Sequence, residues 1–478
     1  MRVNERVFRL TSAWIGGFIT IVITTRLILA DQWSADSRIS HPGYADFFFS
    51  AQAFSMLQGR WDVAPADLPG ECYFVDDQCI GYYGITPSIL RLPFLMRVPL
   101  TAPPMEHGLS ALMTILALAI AVIASILIVD QVWRTTTNTV QESQVPLVRM
   151  LPYLLAIVVV GPGTLLIQLA RPAVYEEAIA WAAAFSLLGI WLFLRWLSSQ
   201  RNSLLVPTIM AFILAANARP TGAVIGLGLG AVALLLIIAK QVKRTPTSIL
   251  AGTLLALLPM LSTFAVFQMK FDTPVPSLTL NEQIPESPHW AAIFEANGGH
   301  GFSPTFIPTT AWSYLRPDSL GLRPDTPSFA GSLQLVTLTP EFREPTWLWP
   351  LNPGGLYYEP VASITSLAPV GLALTIVALI WPARIRGQFT YPAWVSRVLV
   401  LAAGLGSVLA LTTAAVTSRY LGDFVPLIVT GTALAVPSLS IMANKRPKTA
   451  AIASATLITL GLIGSIVSVS VLSTQTLL

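Results

Sequence analysis

The stretch "GLSALMTILALAIAVIASILIV", residues 108–129, runs for 22 positions without an ionisable side chain. About 20 apolar residues suffice to cross a bilayer as a helix, because the helix rises roughly 1.5 Å per residue and the hydrocarbon core is roughly 30 Å thick. Further runs of similar length and character occur on both sides of it. The sequence therefore predicts a membrane protein built from several spanning helices.

The composition of the 478-residue chain agrees with this fold class. Hydrophobic residues make up 54% of it, charged residues only 11%, and the mean hydropathy is +0.67, values that exclude an ordinary soluble domain. We predict an all-α polytopic fold of about eleven transmembrane helices with two long loops. A first membrane module at 1–269 contains the loop 31–107, a lobe rich in Pro, Trp and Tyr follows at 270–360, and helices return at 361–478. The predicted spans are 10–30, 108–129, 149–169, 173–195, 203–218, 221–239, 247–269, 361–381, 394–416, 421–441 and 450–473.

The basic residues predict an orientation. If the N-terminus is cytoplasmic, 16 of the 28 Lys and Arg residues fall in the predicted inner loops, as the positive-inside rule requires. Both long loops and the C-terminus then lie outside the cytoplasm. The net charge of +4 is explained by these loops, and it gives no reason to expect a nucleic-acid partner.

The only two cysteines, Cys72 and Cys79, lie in "ECYFVDDQC" within the first long loop. Six residues separate them, which allows a small closed ring, and an oxidising compartment favours a disulfide. A zinc site is the weaker interpretation, since two cysteines supply half of the ligands and no histidine pair is nearby. We predict a disulfide.

Charged residues recur at four predicted outer junctions, next to the ends of spans. Arginines at helix ends often only extend to the interface, and Arg–Glu pairs often only brace loops. Three arginines at short outer turns are nevertheless unusual, and the guanidinium fork suits a phosphate group. We therefore predict an anion site for a lipid phosphate that involves Arg171, Arg219 and Arg419, with Asp46, Glu176, Glu177 and Asp423 nearby.

Common hydrolase chemistry finds no support in the sequence. There is no Walker A motif, no G-x-S-x-G and no H-E-x-x-H. Four histidines form no cluster, and the glycine-rich "GLGLGAV" at 226–232 lies in an apolar span, where close helix packing explains it.

The stretch "YADFFFSAQAFSMLQG", residues 44–59, resembles the first outer loop of GT-C type glycosyltransferases. Asp46 precedes three phenylalanines, and a helix with small residues ends in Leu57-x-Gly59. The resemblance implies a transferase that uses a polyprenyl-phosphate sugar, with Asp46 as the general base. Ala45 and Phe47 stand where many relatives have a second acid, so a divalent metal remains open and no cofactor is certain.

The expected reaction is transfer of one sugar to a cell-envelope glycan or lipoglycan outside the cytoplasm. The high ratio of Arg to Lys and the abundant Ala, Val, Leu and Thr suggest an actinobacterial source. Six residues are expected to bind or orient substrate: His41, Tyr44, Glu176, Glu177, Tyr420 and Asp423. A polymerase or ligase of lipid-linked glycans is an alternative with the same outer arginines. A transporter or flippase should carry charges in mid-span and an internal repeat, and a non-catalytic scaffold has no need of converging arginines. Aromatic residues of the lobe are candidates for an acceptor platform: Trp290, Trp312, Trp347, Trp349, Tyr357 and Tyr358.

Overall fold

The structure is a computed structural model that describes residues 2–32, 45–69, 71–96, 108–136, 165–274, 295, 301–317, 319–324, 333–337, 357–358, 361–382 and 391–445, with single positions between 448 and 467. Within these residues, seven helices are long and apolar enough to cross a membrane: Leu10–Leu29, Leu109–Thr135, Val174–Ser199, Pro220–Ile238, Pro246–Phe271, Ala393–Ala410 and Ser418–Leu439. The prediction of an all-α polytopic membrane fold is confirmed. The number eleven stays a prediction.

The described helices are α1 (Arg2–Gln32), α2 (Phe48–Leu57), α3 (Thr86–Leu95), α4 (Gly108–Thr136), α5 (Val174–Ser199), α6 (Leu205–Ala216), α7 (Pro220–Ile238), α8 (Pro246–Phe271), α9 (Ile307–Leu315), α10 (Ile364–Leu367), α11 (Pro369–Ile380), α12 (Ala393–Ala410) and α13 (Val425–Lys445). Short strands pair as antiparallel β1 (Tyr73–Val75) with β2 (Gln78–Ile80), antiparallel β3 (Leu320–Pro324) with β4 (Leu333–Thr337), and parallel β5 (Tyr357–Tyr358) with β6 (Ala415–Val416). These strands lie in the connections between helices.

The bundle packs α5 against α4 and α6, α7 against α8 and α12, and α11 against α13. Helix α5 is the most enclosed of the seven long helices, since 89% of the residues in its most apolar stretch are buried by the rest of the protein. Small residues bring α7 close to its neighbours: a Cβ added at Gly230 would lie 2.4 Å from the Ala256 nitrogen of α8, and one at Gly228 would lie 2.6 Å from Leu405 of α12. Close packing therefore explains the glycine-rich stretch.

Several predicted spans differ from the helices observed. The span 203–218 is the 12-residue helix α6, and 361–381 is divided into α10 and the 12-residue α11, so both are shorter than a membrane crossing needs. Span 361–381 is interrupted at Ala368, between α10 and α11, because the residue before a proline, here Pro369, is disfavoured in the helical conformation. Span 394–416 ends as a helix at Ala410, and 421–441 begins with the 3-10 helix Ser418–Phe424.

The first long loop folds onto the bundle. Its helix α2 buries Phe48 and Phe49 against Tyr83 and Leu68, with ring centroids of Phe48 and Tyr83 5.2 Å apart. A disulfide joins Cys72 to Cys79 across the β1–β2 hairpin, with Cα atoms 5.0 Å apart. The described parts of the loop, residues 45–69 and 71–96, therefore form a cap with its own apolar core.

Other predictions lie outside the described residues. These are most of spans 149–169 and 450–473, and Trp290, Trp347 and Trp349 of the lobe, while of Tyr357 and Tyr358 only the backbone is described. In the described part of the lobe, Trp312 on α9 is 37% exposed.

Candidate functional site

Asp46 lies in the first long loop where the loop contacts the bundle, two residues before α2 begins. Its residue surface is only 3% exposed. The Ser110 Oγ of α4 donates a hydrogen bond of 2.5 Å to the Asp46 main-chain carbonyl oxygen. The preceding residue, Ala45, has a φ of 51°, a left-handed conformation that costs energy for a residue with a Cβ. Asp46 is therefore held at the bundle by contacts to its backbone.

Arg91 of α3 and Glu177 of α5 form a buried bidentate ion pair beside Asp46. Arg91 Nη1 and Nη2 lie 2.5 Å and 2.7 Å from the two Glu177 carboxylate oxygens, and the two side chains are 0% and 1% exposed. Arg91 Nη2 also donates to Ser110 Oγ at 3.0 Å, and Nε donates to Ser50 Oγ at 3.2 Å. Because Ser110 bonds both Arg91 and the Asp46 backbone, the ion pair positions Asp46. We call these residues the Asp46 layer.

Arg219 and Asp423 form a second ion pair, at the N-terminus of α7 and just before α13. Arg219 Nη2 lies 3.1 Å from Asp423 Oδ2, and Thr221 Oγ1 donates to Asp423 Oδ1 at 2.9 Å. Ser407 Oγ of α12 donates to the Asp423 carbonyl oxygen at 3.0 Å. The Arg219 Nε is buried and has no hydrogen-bond partner among the described residues. Arg219 thus keeps donor capacity after binding its carboxylate.

Arg419 lies close to Arg219 through shared aromatic contacts. The guanidinium of Arg219 lies 4.7 Å from the ring centroid of Tyr420, and that of Arg419 lies 5.9 Å from the same centroid. Arg419 also lies 4.0 Å from the ring centroid of Tyr175 on α5, a cation–π distance. Two guanidinium groups therefore meet around one tyrosine, and their charges repel each other.

A carboxylate, Glu71, lies among three tyrosines next to Arg419. The Tyr175 hydroxyl donates a short hydrogen bond to Glu71 Oε1, the Tyr83 hydroxyl lies 3.5 Å from Glu71 Oε2, and the Tyr82 and Tyr175 hydroxyls are 3.3 Å apart. Burial raises the pKa of Glu71, opposed by the tyrosine hydrogen bonds and by the Arg419 charge. Burial also raises the pKa of Tyr82 and Tyr83 well above the ordinary value, so both phenols stay neutral donors. We call Glu71, Tyr82, Tyr83, Tyr175, Arg219, Arg419, Tyr420 and Asp423 the arginine layer.

The start of α5 joins the two layers. Tyr175 belongs to the arginine layer, and Glu177, two residues later, belongs to the Asp46 layer. Successive residues of an α-helix are about 100° apart, so these two side chains leave the helix in nearly opposite directions. The Glu177 and Asp46 carboxyls are close enough to repel each other. Both layers thus occupy the end of the bundle at which α5, α7 and α13 begin.

The structure brings together four of the residues that the sequence singled out, Arg219, Arg419, Tyr420 and Asp423. Glu177 is instead committed to Arg91. Glu176 is 6% exposed, and its Oε2 has no hydrogen-bond partner in the described part of the chain. Arg171 is half-buried before α5 begins, and its role stays a prediction. His41 and Tyr44 lie outside the described residues.

In the first long loop, where charged side chains normally face water, sequence reasoning missed Glu71, Tyr82, Tyr83 and Arg91. It also missed Tyr175 at the start of α5 and the hydroxyls of Ser50 and Ser110. Arg91 sits in "SILRLPFLMR", and its isolation among apolar residues was the one signal of burial. Glu71 directly precedes Cys72, and the ring closed by the disulfide was the signal that this segment is ordered.

The described residues contain no group of three or more His, Cys, Asp or Glu side chains placed to hold a metal ion.

The overall arrangement of helices is similar to that of solved glycan-transferring membrane proteins. The structure of the archaeal oligosaccharyltransferase AglB from Archaeoglobus fulgidus, in complex with an inhibitory peptide and a dolichol-phosphate, matches with a TM-score of 0.50 and 12% identity over 99% of this chain. The fold of this chain is therefore GT-C-like. The apo form of the Archaeoglobus fulgidus oligosaccharyltransferase matches with a TM-score of 0.48 and 12% identity over 96% of the chain. The chain spans 56% of the length of each neighbour.

No protein-family model matches the sequence, and no curated protein matches it. At 12% identity, the likeness to the oligosaccharyltransferase shows the fold and leaves the reaction to be argued from the site.

Proposed function

We propose that the protein is a glycosyltransferase that moves a sugar from a polyprenyl-phosphate donor to a cell-envelope glycan or lipoglycan. One observation carries this proposal: two guanidinium groups, on Arg219 and Arg419, meet around Tyr420, and the start of α5 connects them to the buried Asp46 layer. A phosphate-binding element and a candidate base then share one end of the helix bundle. That pairing is what transfer from a lipid phosphate requires.

Asp46 is the proposed general base. It accepts the proton of an acceptor hydroxyl while the hydroxyl oxygen attacks the anomeric carbon of the donor sugar. A bond forms between that oxygen and the anomeric carbon, and the bond from the anomeric carbon to the phosphate oxygen breaks. The bonding electrons leave with the polyprenyl phosphate, so Asp46 ends protonated and the phosphate gains one negative charge.

Arg219 and Arg419 are the proposed donor-phosphate ligands. Their charges stabilise the phosphate as its negative charge grows, which lowers the barrier if the guanidinium groups are already in place. Asp423 and Thr221 hold Arg219, and Tyr175 and Tyr420 hold Arg419, so the groups are fixed before substrate binds. The unpaired Arg219 Nε gives one donor for a phosphate oxygen.

The GT-C fold supports this proposal, because the neighbour with TM-score 0.50 is an oligosaccharyltransferase seen with dolichol-phosphate. We propose the same outward orientation as the sequence predicts: a cytoplasmic N-terminus, a cell-membrane location and the active site outside the cytoplasm. The archaeal neighbour gives no support to an actinobacterial source, and the envelope acceptor rests on the sequence alone.

Transfer of a preassembled glycan is the second candidate function. The observation that favours it is the fold shared with AglB, whose structure also holds an inhibitory peptide. In that case the donor carries an oligosaccharide and the acceptor is a peptide or a growing glycan. Two arginines serve a pyrophosphate as well as a phosphate, so the donor has to be distinguished by assay.

The test uses the full-length protein in lipid nanodiscs with radiolabelled polyprenyl-phosphate mannose or arabinofuranose and an envelope glycan acceptor. Parallel reactions contain a polyprenyl-pyrophosphate oligosaccharide with either glycan or peptide. The decisive variant is Asp46→Asn, which keeps the Ser110 hydrogen bond because that bond is to the backbone carbonyl. The matched control is Asp77→Asn, an exposed aspartate in the β1–β2 turn.

We expect Asp46→Asn to lower turnover by about 10²- to 10⁴-fold, the usual contribution of a general base. Asp77→Asn should retain wild-type turnover. If Asp46→Asn still turns over the monosaccharide donor at the wild-type rate, Asp46 is not the general base. Turnover of the oligosaccharide donor alone would establish the second candidate instead.

A further inference from the structure

The segment that follows the disulfide, residues 80–86, is fixed to the bundle from several sides. Lys270 Nζ at the end of α8 donates to the Tyr83 carbonyl oxygen at 2.8 Å, and Lys270 is 3% exposed. The Thr86 backbone nitrogen donates to the Asn217 carbonyl oxygen at 2.8 Å, and a Cβ at Gly84 would lie 2.0 Å from that oxygen. The tyrosines of this segment are therefore held in place against the arginine layer.

These tyrosines form an aromatic corner with Glu71 inside it. The rings of Tyr82 and Tyr83 stack with centroids 4.4 Å apart, and Tyr175 meets Tyr83 edge-on at 5.3 Å. Tyr82, Tyr175 and Glu71 are each only partly buried, so this corner has an accessible side. Aromatic faces beside a carboxylate are a combination that suits a sugar, because its C–H face packs on a ring while its hydroxyls donate to the carboxylate oxygens.

Glu71 has acceptor capacity left for such hydroxyls. A carboxylate offers about four lone-pair positions on its two oxygens. The Tyr175 hydroxyl occupies one position on Oε1, the Tyr83 hydroxyl approaches Oε2 at 3.5 Å, and the Tyr82 hydroxyl is a third donor to the carboxylate. Three donors on about four positions leave one position that a ligand hydroxyl can fill.

Tyr175 connects this corner to the proposed phosphate ligands. Its ring lies 4.0 Å from the Arg419 guanidinium, and its hydroxyl bonds Glu71. The corner and the guanidinium are thus separated by one phenol ring. In a glycosyl phosphate the sugar ring is bonded directly to the phosphate oxygen, so a ligand whose phosphate contacts Arg419 places its sugar beside Glu71.

We propose that Glu71, with Tyr82 and Tyr175, binds the sugar of the donor and makes the site select a glycosyl phosphate over the bare lipid phosphate. This inference rests on the proposed function, because it takes Arg419 as a phosphate ligand. It assigns a binding role to residues for which neither sequence pattern nor fold likeness predicted one.

The experiment measures equilibrium binding to the full-length protein in nanodiscs by competition with a fluorescent polyprenyl phosphate. The probes are polyprenyl phosphate, polyprenyl-phosphate mannose and polyprenyl-phosphate arabinofuranose. The variants are Glu71→Gln and Arg419→Met, and the matched control is Asp77→Asn, an exposed aspartate in the nearby β1–β2 turn. Glu71→Gln preserves shape, and its amide oxygen still accepts the Tyr175 hydroxyl. Tyr82→Phe is a second probe of the same corner that leaves the carboxylate intact.

We expect wild type to prefer a sugar-bearing lipid over polyprenyl phosphate. Glu71→Gln should weaken binding of that lipid by about 10- to 100-fold, the usual value for hydrogen bonds to a charged group, and leave binding of polyprenyl phosphate unchanged. Arg419→Met should weaken binding of both, and Asp77→Asn neither. Tyr82→Phe should weaken only the sugar-bearing lipid, by a smaller factor.

Three results would overturn the inference. Equal losses for both lipids in Glu71→Gln would mean that Glu71 acts only by holding Arg419. Unchanged binding of both lipids in Glu71→Gln would mean that no sugar contacts it. Equal affinity of wild type for all three lipids would remove the sugar site and leave the phosphate site standing, whereas no binding of any lipid phosphate would refute the proposed function itself.

Discussion

The buried ion pair of Arg91 with Glu177 makes a quantitative prediction. Replacing Arg91 with Met leaves the Glu177 carboxylate, 1% exposed, without its two short bonds from the guanidinium. Breaking such a pair from one side costs about 3–5 kcal/mol, because an uncompensated charge stays buried. Glu177→Leu should cost a similar amount, since it strands the guanidinium instead.

The double variant Arg91→Met with Glu177→Leu should be more stable than either single variant. It removes both charges and leaves two serine hydroxyls, on Ser50 and Ser110, short of a partner, at about 1 kcal/mol each. The coupling free energy between the two sites should then be at least about 2 kcal/mol. Arg60 and Asp62, a pair 2.6 Å apart with Arg60 51% exposed, provide the matched control, with an expected coupling of about 0–1 kcal/mol.

The assay is unfolding in mixed micelles, followed by tryptophan fluorescence, since the chain has 13 tryptophans. All four members of each cycle are measured under one detergent composition. If the losses in the two single variants simply add in the double variant, the pair contributes no coupling, and the account of the Asp46 layer as a unit held by Arg91 is wrong.

Two further predictions concern the hairpin loop. Replacing Cys72 and Cys79 together with Ser should lower the free energy of unfolding by about 2–3 kcal/mol, since the bridge closes a short loop; reductant should lower the wild-type transition temperature in the micelle assay and leave the variant unchanged. Because burial raises the pKa of Glu71 in the folded chain, the stability that its proton adds is complete below about pH 4.3 and is lost as pH rises through the folded-state pKa. The free energy of unfolding of Glu71→Gln, relative to that of wild type, should therefore increase from acidic to neutral pH. If the two proteins change in parallel with pH, the Glu71 carboxyl is not buried as the structure shows.

The sequence predicted the fold class because apolar length is a local property. Runs such as 108–129 and 247–269 read directly as spans, and each is a long helix in the structure. Spans 203–218 and 361–381 were less well predicted, since hydropathy does not register where a helix begins or ends. In 361–381, Pro369 disfavours the helical conformation at Ala368, so α11 begins only at Pro369.

The sequence predicted the site residues that lie directly beside a predicted span. It did not predict those that become buried only because the first long loop packs against the helix bundle. Arg219, Arg419 and Asp423 stand next to apolar runs, so their depth was evident from the sequence. Arg91 and Glu71 are far from any span in the chain, and only the packing of α3 and the hairpin against α5 buries them. Their burial depends on contacts between residues 86 and 104 positions apart, which no local pattern encodes.

The start of α5 explains how a loop residue and distant arginines come to form one site. Tyr175, Glu176 and Glu177 lie in the first turn, where the helix N-terminus favours negative charge and so offsets part of the cost of burying Glu177. Tyr175 and Glu177 leave the helix about 200° apart, one toward Arg419 and the other toward Arg91. Because α5 is enclosed by its neighbours, the two layers cannot shift independently without moving a packed helix. The separation of the proposed base from the proposed phosphate ligands is therefore set by one rigid turn, which is the property that a transfer reaction between a fixed acceptor and a lipid-anchored donor needs.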